Sequence, residues 1–535
     1  MFDETRVVQL TMLALTGGMW LLAVWAMWRK QTGVTRLLLG VFTLYALGQL
    51  GFVLYAWGNR VTFPLNLEAM ELLKLQHVKR LLAGQPLYGE PSADFIPLVY
   101  NPLYYYVTLP FTWLAGANLT AMRAASIVGA VGAYLVTFLA VRRQTASPWW
   151  GLMAVGLMAA AFRAMDSYLD NATADSWTLF SILLGAYLID RTGSRLVNLL
   201  GILWLVAAFW FKQYGALFTI GGVLFLTWRD GWRQAWRYWL AATLLGPLLY
   251  LLAPTAVLGS RFHDYTWNVP RQWAEFSVNG TLVRVIKYVI KFYGVLAFCA
   301  TVATGWRWLR TKQELSVWYF MLPVALLSGP YVALDPGNNN NVFIPLGAWL
   351  IITGVLGLAQ LITWAPALER WGAPAFALAL SFTLLFYRPT TVLIPAETPA
   401  AYQDLRDTLA GLAGTVYAPG IGAFQEGDLL YPTVNWIPLI DLIRYPGADL
   451  CNQSFTRELL APVLHPAGRA YILLEHPLEE DAMLAFLSSA YRLETDFGNR
   501  FIALRDSPKL LEMGWPTYLY KYEPVAGVEP AWGCE

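Results

Sequence analysis

Apolar stretches of about 20 residues recur along this chain, and that recurrence restricts its fold more than any motif does. A bilayer's hydrocarbon core is about 30 Å thick and a helix rises about 1.5 Å per residue, so about 20 apolar residues cross it. Such runs lie near 8–28, 36–57, 119–141, 148–164, 175–190, 196–211, 214–228, 237–257, 284–304, 315–334, 343–364 and 372–388. One soluble core cannot absorb them. Charged residues are only 13% of the 535 positions, against about 25% in a soluble domain. A net charge of +2 implies no nucleic-acid partner. The expected fold is therefore an α-helical polytopic membrane protein with about 12 transmembrane helices.

Short loops rich in Lys and Arg stay on the cytoplasmic side. Here the basic loops hold Arg29, Lys30 and Arg36; Arg142 and Arg143; Arg191 and Arg195; Arg229, Arg233 and Arg237; and Arg307, Arg310 and Lys312. The loop with Glu369 and Arg370 is neutral. Simple alternation from an external N-terminus puts all six loops on one side. Connections 58–118, 165–174, 212–213, 258–283 and 335–342, and everything after about 390, then face away from the cytoplasm. The opening segment MFDETRVVQ sets Asp3 and Glu4 against Arg6 and is followed by no small-x-small site, so it reads as a retained anchor.

Two segments of the first external loop are expected at the membrane surface. NPLYYYVTLPFTWLAG (101–116) is too short to span and holds prolines; counting it would place the later basic loops outside. LEAMELLKLQHVKRLLAG (67–84) is amphipathic, with Leu67, Met70, Leu73, Leu81 and Leu82 able to share a face and Lys74, Lys79 and Arg80 set toward headgroups. Together they would form a lid. After 390, strand-like runs (TVYAPG, RAYILLE, FIALR) alternate with helical ones (AYQDLRDTLAGL, EEDAMLAFLSSAY). The expected division is a transmembrane domain over 1–390 and an extracytoplasmic α/β domain over 391–535, in the plasma (inner) membrane.

The polar residues of the external loops are the candidates for chemistry. Glu68 can act as a general base on an incoming hydroxyl, or be an acid favoured at a helix start. Asp166, Asp170 and Asp175, after Arg163, can orient an acceptor or hold a divalent cation, Mg²⁺ or Mn²⁺; Asp175 can equally be a helix cap. Lys212, followed by Gln213 in a tight turn, can pair with a lipid phosphate or snorkel. Arg261 and Arg271 suit phosphate oxygens, and His263 and nearby aromatics suit a sugar, although an aromatic belt explains most of the rings. Four consecutive asparagines, Asn338 to Asn341, can bind sugar hydroxyls or phosphate, or form a plain turn. Cys299 lies in an apolar run as a packing residue; Cys451 and Cys534 can pair only if both lie outside. The dispersed His77, His263, His465 and His476 do not suggest a metal site, and there is no P-loop, dinucleotide fingerprint, HExxH or GxSxG.

The order of these features resembles a family. A first-loop acid precedes LLAGQPLYG and YNPLYYYVTLPFTWLAG; an acidic loop precedes ADSWTLFSILLGAYL; FKQYGAL and GNNNNVFIPLGAWL follow. This order resembles the C-type membrane glycosyltransferases, in the broad group of the protein mannosyltransferases and aminoarabinose transferases. The resemblance covers about 60–390 and, weakly, the outer domain. It implies transfer of a sugar from a polyprenyl-phosphate donor to an acceptor hydroxyl of a glycan, lipid or protein. By it, Glu68 stands at the first-loop acid, Asp175 at the second acid and Lys212 at the Lys-Gln turn. Arg163, Arg261 and Arg271 would add charge for donor phosphate, and Tyr100, Tyr104, Gln213, His263, Asn339 and Asn341 would contact substrate. The chain departs from the pattern at Asn66-Leu67, where relatives pair two acids, at Thr173, where they carry Arg, and at Val342-Phe343. A lipid-linked-sugar transporter and a non-catalytic subunit of a membrane complex are the competing readings.

Overall fold

The computed structural model describes residues 4–29, 32–68, 70–92, 95–190, 194–253, 255–310, 315–364, 372–418, 463, 466, 468–481, 484–505 and 515–524. Cys451, Cys534, His465, Lys30, Arg191, Lys312, Glu369 and Arg370 lie outside these residues.

The chain is mostly helical, with a small sheet near its C-terminal end. In order, the helices used below are α1 (Glu4–Arg29), α2 (Thr32–Arg60), α3 (Glu71–Leu82), α4 (Leu103–Ala115), α5 (Leu119–Thr145), α6 (Pro148–Ala160), α7 (Asp175–Ile189), α8 (Arg195–Phe211), α9 (Gly215–Asp230), α10 (Trp232–Thr243), α11 (Arg284–Arg310), α12 (Leu322–Val332), α13 (Ile344–Trp364), α14 (Gly372–Leu384) and α15 (Thr398–Ala410). Most of each apolar run named above is helical, with breaks inside 237–257 and 315–334. By length and composition alone, Leu37–Arg60, Leu119–Thr145, Val278–Arg310 and Asn340–Ile362 are long and apolar enough to cross a membrane. α4 is too short: its 13 residues rise about 20 Å. α10 starts earlier than the run 237–257, so Arg233 and Arg237 sit on a helix and not in a loop. It passes through a π turn at Leu244–Leu248 that contains Pro247, as a missing amide donor requires.

The described residues cluster into two compact units. The first comprises 1–58, 126–252 and 275–392. Its helices approach closely through small residues, since lipid gives apolar side chains no preference for each other and tight backbone contact does the work. A Cβ at Gly201 of α8 would stand 2.9 Å from the Gly185 oxygen of α7, and one at Gly357 of α13 would stand 2.5 Å from the Cys299 oxygen of α11. Cys299 is buried in that contact.

The second unit comprises 59–125, 253–274 and 393–535. Its sheet has strands β1 (Thr415–Tyr417), β2 (Ala470–Leu474), β3 (Tyr491–Asp496) and β4 (Tyr518–Tyr522) in the order β1-β2-β4-β3. β1 runs parallel to β2, and β4 is antiparallel to both β2 and β3. One core holds Phe63, Leu65 and Leu67 with Leu405, Leu409, Val416 and Leu473, so the first loop and the sheet share buried apolar surface. TVY and AYILL are strands as expected. FIALR is not: Phe501 and Leu504 are buried while Ile502 is exposed, a three-residue repeat that folds as a 3₁₀ turn at Ile502–Leu504. EEDAMLAFLSSAY likewise forms 3₁₀ turns at Leu478–Glu480 and Ala485–Ser489 instead of one helix.

Candidate functional site

Candidate residues fall in both units. In the second, the chain leaves α2 at Arg60 and reaches α3 through a loop that carries Asn66 and Glu68. The Asn66 side chain accepts from the Leu72 N–H at 3.0 Å, and Glu71 accepts from the Leu67 N–H at 2.6 Å. These bonds set the entry into α3 by occupying amides that have no partner within the helix. Glu68 is 3% exposed and receives the Lys74 ammonium at 2.9 Å. Lys74 is therefore not directed at headgroups: the first two turns of α3 are buried nearly all round, and a buried ammonium takes a carboxylate partner. Its Nζ also lies 5.3 Å from the centre of the Tyr100 ring.

Glu71 lies three residues beyond Glu68 and meets Arg123 at the start of α5. Arg123 donates to Glu71 at 3.0 and 2.6 Å, to the Phe63 oxygen at 2.5 Å, to Leu65 at 2.6 Å and to Arg60 at 3.4 Å. Both side chains are fully buried. His77 braces the same loop. It is within 2.8 Å of the Leu73 oxygen through Nδ1 and accepts from the Leu98 N–H at 3.0 Å, which assigns the neutral ring with its proton on Nδ1. It stacks on Tyr105 at 4.8 Å. Burial depresses its pKa to about 3, helped by Arg80 and Lys74 and opposed by the Leu73 bond.

In the first unit, the sequence brings three separate motifs to one place. α7 and α8 run antiparallel, so the start of α7 and the end of α8 coincide. A carboxylate suits the first and a cation the second, because each opposes the partial charge of its helix end. Lys212 donates to Asp175 Oδ1 at 2.8 Å, and Asn341 Nδ2 donates to the same oxygen at 3.3 Å. Asp175 does not serve as the cap: Ala174 holds that position without a side-chain bond. Asp175 Oδ2 is buried with no hydrogen-bond partner among the described residues. Lys212 is buried and paired, so it does not snorkel.

The acidic loop closes against the asparagine run. Asp166 accepts from Arg163 at 3.2 Å and from the backbone amides of Asn340 and Asn341. Burial nonetheless raises its pKa, against the lowering pull of Arg163 and those amides. Asp166 and Ser167 sit at φ 53° and 57°, a left-handed conformation that costs about 1–2 kcal/mol per non-glycine residue. Asp170 is also buried in this loop. Arg284 holds the other end of the asparagine run by donating to the Asn338 oxygen.

The remaining candidates are placed as follows. Tyr100 donates to the Met70 sulfur at 3.2 Å and Tyr104 to the Met122 oxygen at 3.3 Å. Gln213 and Asn339 are half-buried in their turns. Arg261 pairs with Glu90 at 2.8 Å and Asp264 at 3.1 Å. His263 is half-buried beside Phe262, and Arg271 is exposed. Among the described residues, no group of three His, Cys, Asp or Glu is arranged to hold a metal ion, so Asp166, Asp170 and Asp175 do not form a cation cage. Sequence reasoning missed Glu71, Arg123 and His77. The signal for Arg123 was present: an arginine inside an apolar run has to find buried partners.

No family model matches this sequence, and no curated protein does. Among solved structures, the chain resembles the crystal structure of ArnT from Cupriavidus metallidurans in the apo state. The TM-score is 0.51 at 14% identity, covering 90% of this chain and 98% of that one. The same protein bound to undecaprenyl phosphate gives 0.50 at 13% identity, covering 91% and 99%. The chain thus shares its fold with ArnT.

Proposed function

We propose that this chain is an integral membrane glycosyltransferase that moves a sugar from a polyprenyl-phosphate donor to an acceptor hydroxyl on the extracytoplasmic face of the inner membrane. The observation that carries the reading is the cluster of Asp175, Lys212 and Asn341 on a fold shared with ArnT, whose complex holds undecaprenyl phosphate. The cluster lies at the end of α7 and α8 opposite to Arg195 and Arg229. The positive-inside rule assigns that opposite end to the cytoplasm, and with it the cluster and the domain after 390 to the outside. No nucleotide-sugar pool exists there, so a lipid-linked donor is the chemically sensible source.

In this proposal Lys212 offsets charge on the departing phosphate, where a preorganised cation lowers the barrier most. Asp175 holds that ammonium in place. Glu68 is the proposed base for the acceptor hydroxyl, and Lys74 fixes the orientation of its side chain. A single displacement inverts the anomeric carbon. Arg163, Arg261 and Arg271 remain proposed donor contacts, and Tyr100, Tyr104, Gln213, His263, Asn339 and Asn341 proposed substrate contacts.

The test is reconstitution of the purified chain with a panel of polyprenyl-phosphate sugars, following sugar loss from the lipid. Wild type should consume a donor and Glu68→Gln should slow that loss at least about 100-fold. Equal rates would remove Glu68 from the chemistry, and a retained anomer would rule out the single displacement. A specific observation favours one competitor: Glu68 and Glu71 are both buried and ion-paired, as in a subunit that only holds its shape. Failure of the wild type to bind any lipid of the panel would select that reading.

A further inference from the structure

At the end of the first unit away from Asp175, α8 and α10 border an open cavity of about 210 Å³ lined by exposed Arg195, Leu196, Arg233, Gln234 and Arg237 and by Leu199 and Tyr238. Three of its lining residues are arginines. Arg195 lies in the first turn of α8 and Arg233 in the first turn of α10, and neither turn contains an acidic residue. A helix start already carries about half a positive charge, and arginine there adds to it. No carboxylate pairs with any of the three guanidinium groups among the described residues. Arg237 rests 5.7 Å from the centre of the Trp236 ring. Two helix starts and three arginines thus converge on one space, which suits an anion rich in oxygen acceptors.

The floor and rim narrow the choice of anion. Tyr238 is 5% exposed and its hydroxyl accepts from Asn198 Nδ2 at 3.4 Å, which leaves its own proton to donate. Leu196 in the lining, and Leu200, Trp236 and Leu240 on the same two helices, are exposed. A soluble anion would have no use for that apolar border, whereas an acyl chain would cover it.

We infer that this cavity binds the phosphate headgroup of an anionic phospholipid, with its acyl chains along Leu196, Leu200 and Leu240. Basic pockets between membrane helices are suited to such headgroups. The site is separated from Lys212 by the length of α8, whose 17 residues rise about 25 Å, so it is a different site from the one proposed for the donor. The inference does not depend on glycosyl transfer.

The experiment uses the full chain in detergent. Binding of phosphatidylglycerol and of phosphatidylcholine with the same acyl chains is measured by native mass spectrometry, with thermal stabilisation by inorganic phosphate in parallel. The wild type should retain phosphatidylglycerol selectively. Replacing Arg195, Arg233 and Arg237 together by Gln should weaken that binding about 100-fold, while replacement by Lys keeps most of it. Equal binding of the two lipids, or undiminished binding by the Gln variant, would overturn the inference. Stabilisation by inorganic phosphate equal to that by phosphatidylglycerol would also overturn it, in favour of a free anion. If the Gln variant is not monodisperse, Arg237→Gln alone and the selectivity of the wild type decide the matter.

Discussion

The Glu71–Arg123 and Asp175–Lys212 pairs are alike in kind: each joins a carboxylate at a helix start to a cation near one end of another helix, and each is buried. They differ in how completely they are satisfied. Arg123 spends its donors on Glu71 and three backbone oxygens, and neither partner is reachable by solvent. Such a pair holds chain segments together, and here it ties the 60–71 loop to α5. Lys212 meets an aspartate whose second oxygen has no partner among the described residues, and the ammonium keeps some exposure. An incompletely satisfied buried pair costs stability, so its retention is best explained by a ligand. The difference separates a brace from a candidate site in a way that charge pattern alone does not.

Substitution tests that separation most strongly at Arg123. Arg123→Gln leaves Glu71 buried without its cation and should cost about 3–5 kcal/mol, read as a fall in the unfolding midpoint of the detergent-solubilised protein. An unchanged midpoint would deny that the pair is a brace. Lys212→Gln should act the other way, lowering glycosyl transfer about 100-fold, or about 2.7 kcal/mol of barrier, with a smaller change in midpoint than at Arg123. If activity and midpoint fell in proportion, the two pairs would be the same kind of feature.

Acid should also distinguish the two regions. An unfolded chain protonates His77 below about 6.5, whereas the folded ring stays neutral to about 3. The unfolded state therefore binds more protons in that window, and stability should fall by about 1.4 kcal/mol per pH unit below 6.5. Asp166 has the opposite sign: its pKa is raised in the fold, so its contribution favours the folded state on acidification and fades as pH rises. Hydrogen exchange as a function of pH should show the α3 region loosening before the 161–175 loop does; the reverse order would invalidate the assignment. The smallest effect is expected at Asn341→Ala, which removes one 3.3 Å bond to Asp175. It should change stability by about 1 kcal/mol and transfer by about tenfold or less, measured on the same preparation as Lys212→Gln.

Much of this could be read from residue order. Long apolar runs have no alternative to helices, because a backbone in hydrocarbon must satisfy its own hydrogen bonds. The brevity of 101–116 foretold a helix too short to span, and Asp175, Lys212 and the asparagine run were each identifiable as loop-end polar residues. FIALR was misread as a strand because a run this short does not separate a two-residue period from a three-residue one, and EEDAMLAFLSSAY was misread as one helix because a helical composition does not separate an α-helix from short 3₁₀ turns. Lys74 was misplaced because amphipathic spacing shows that a helix has faces, and not how many of them are covered.

The sequence by itself determined the membrane class, the places of the helices and the residue types available at their ends, since these follow from local transfer energies and the pitch of the helix. Only the tertiary structure decided which charges meet. Arg123 finds Glu71 across 52 positions and Asn341 finds Asp175 across 166. Pairing at such separations depends on which helix starts and ends coincide, and that is set by packing through residues such as Gly185 and Gly201, whose spacing along the chain carries no charge information at all.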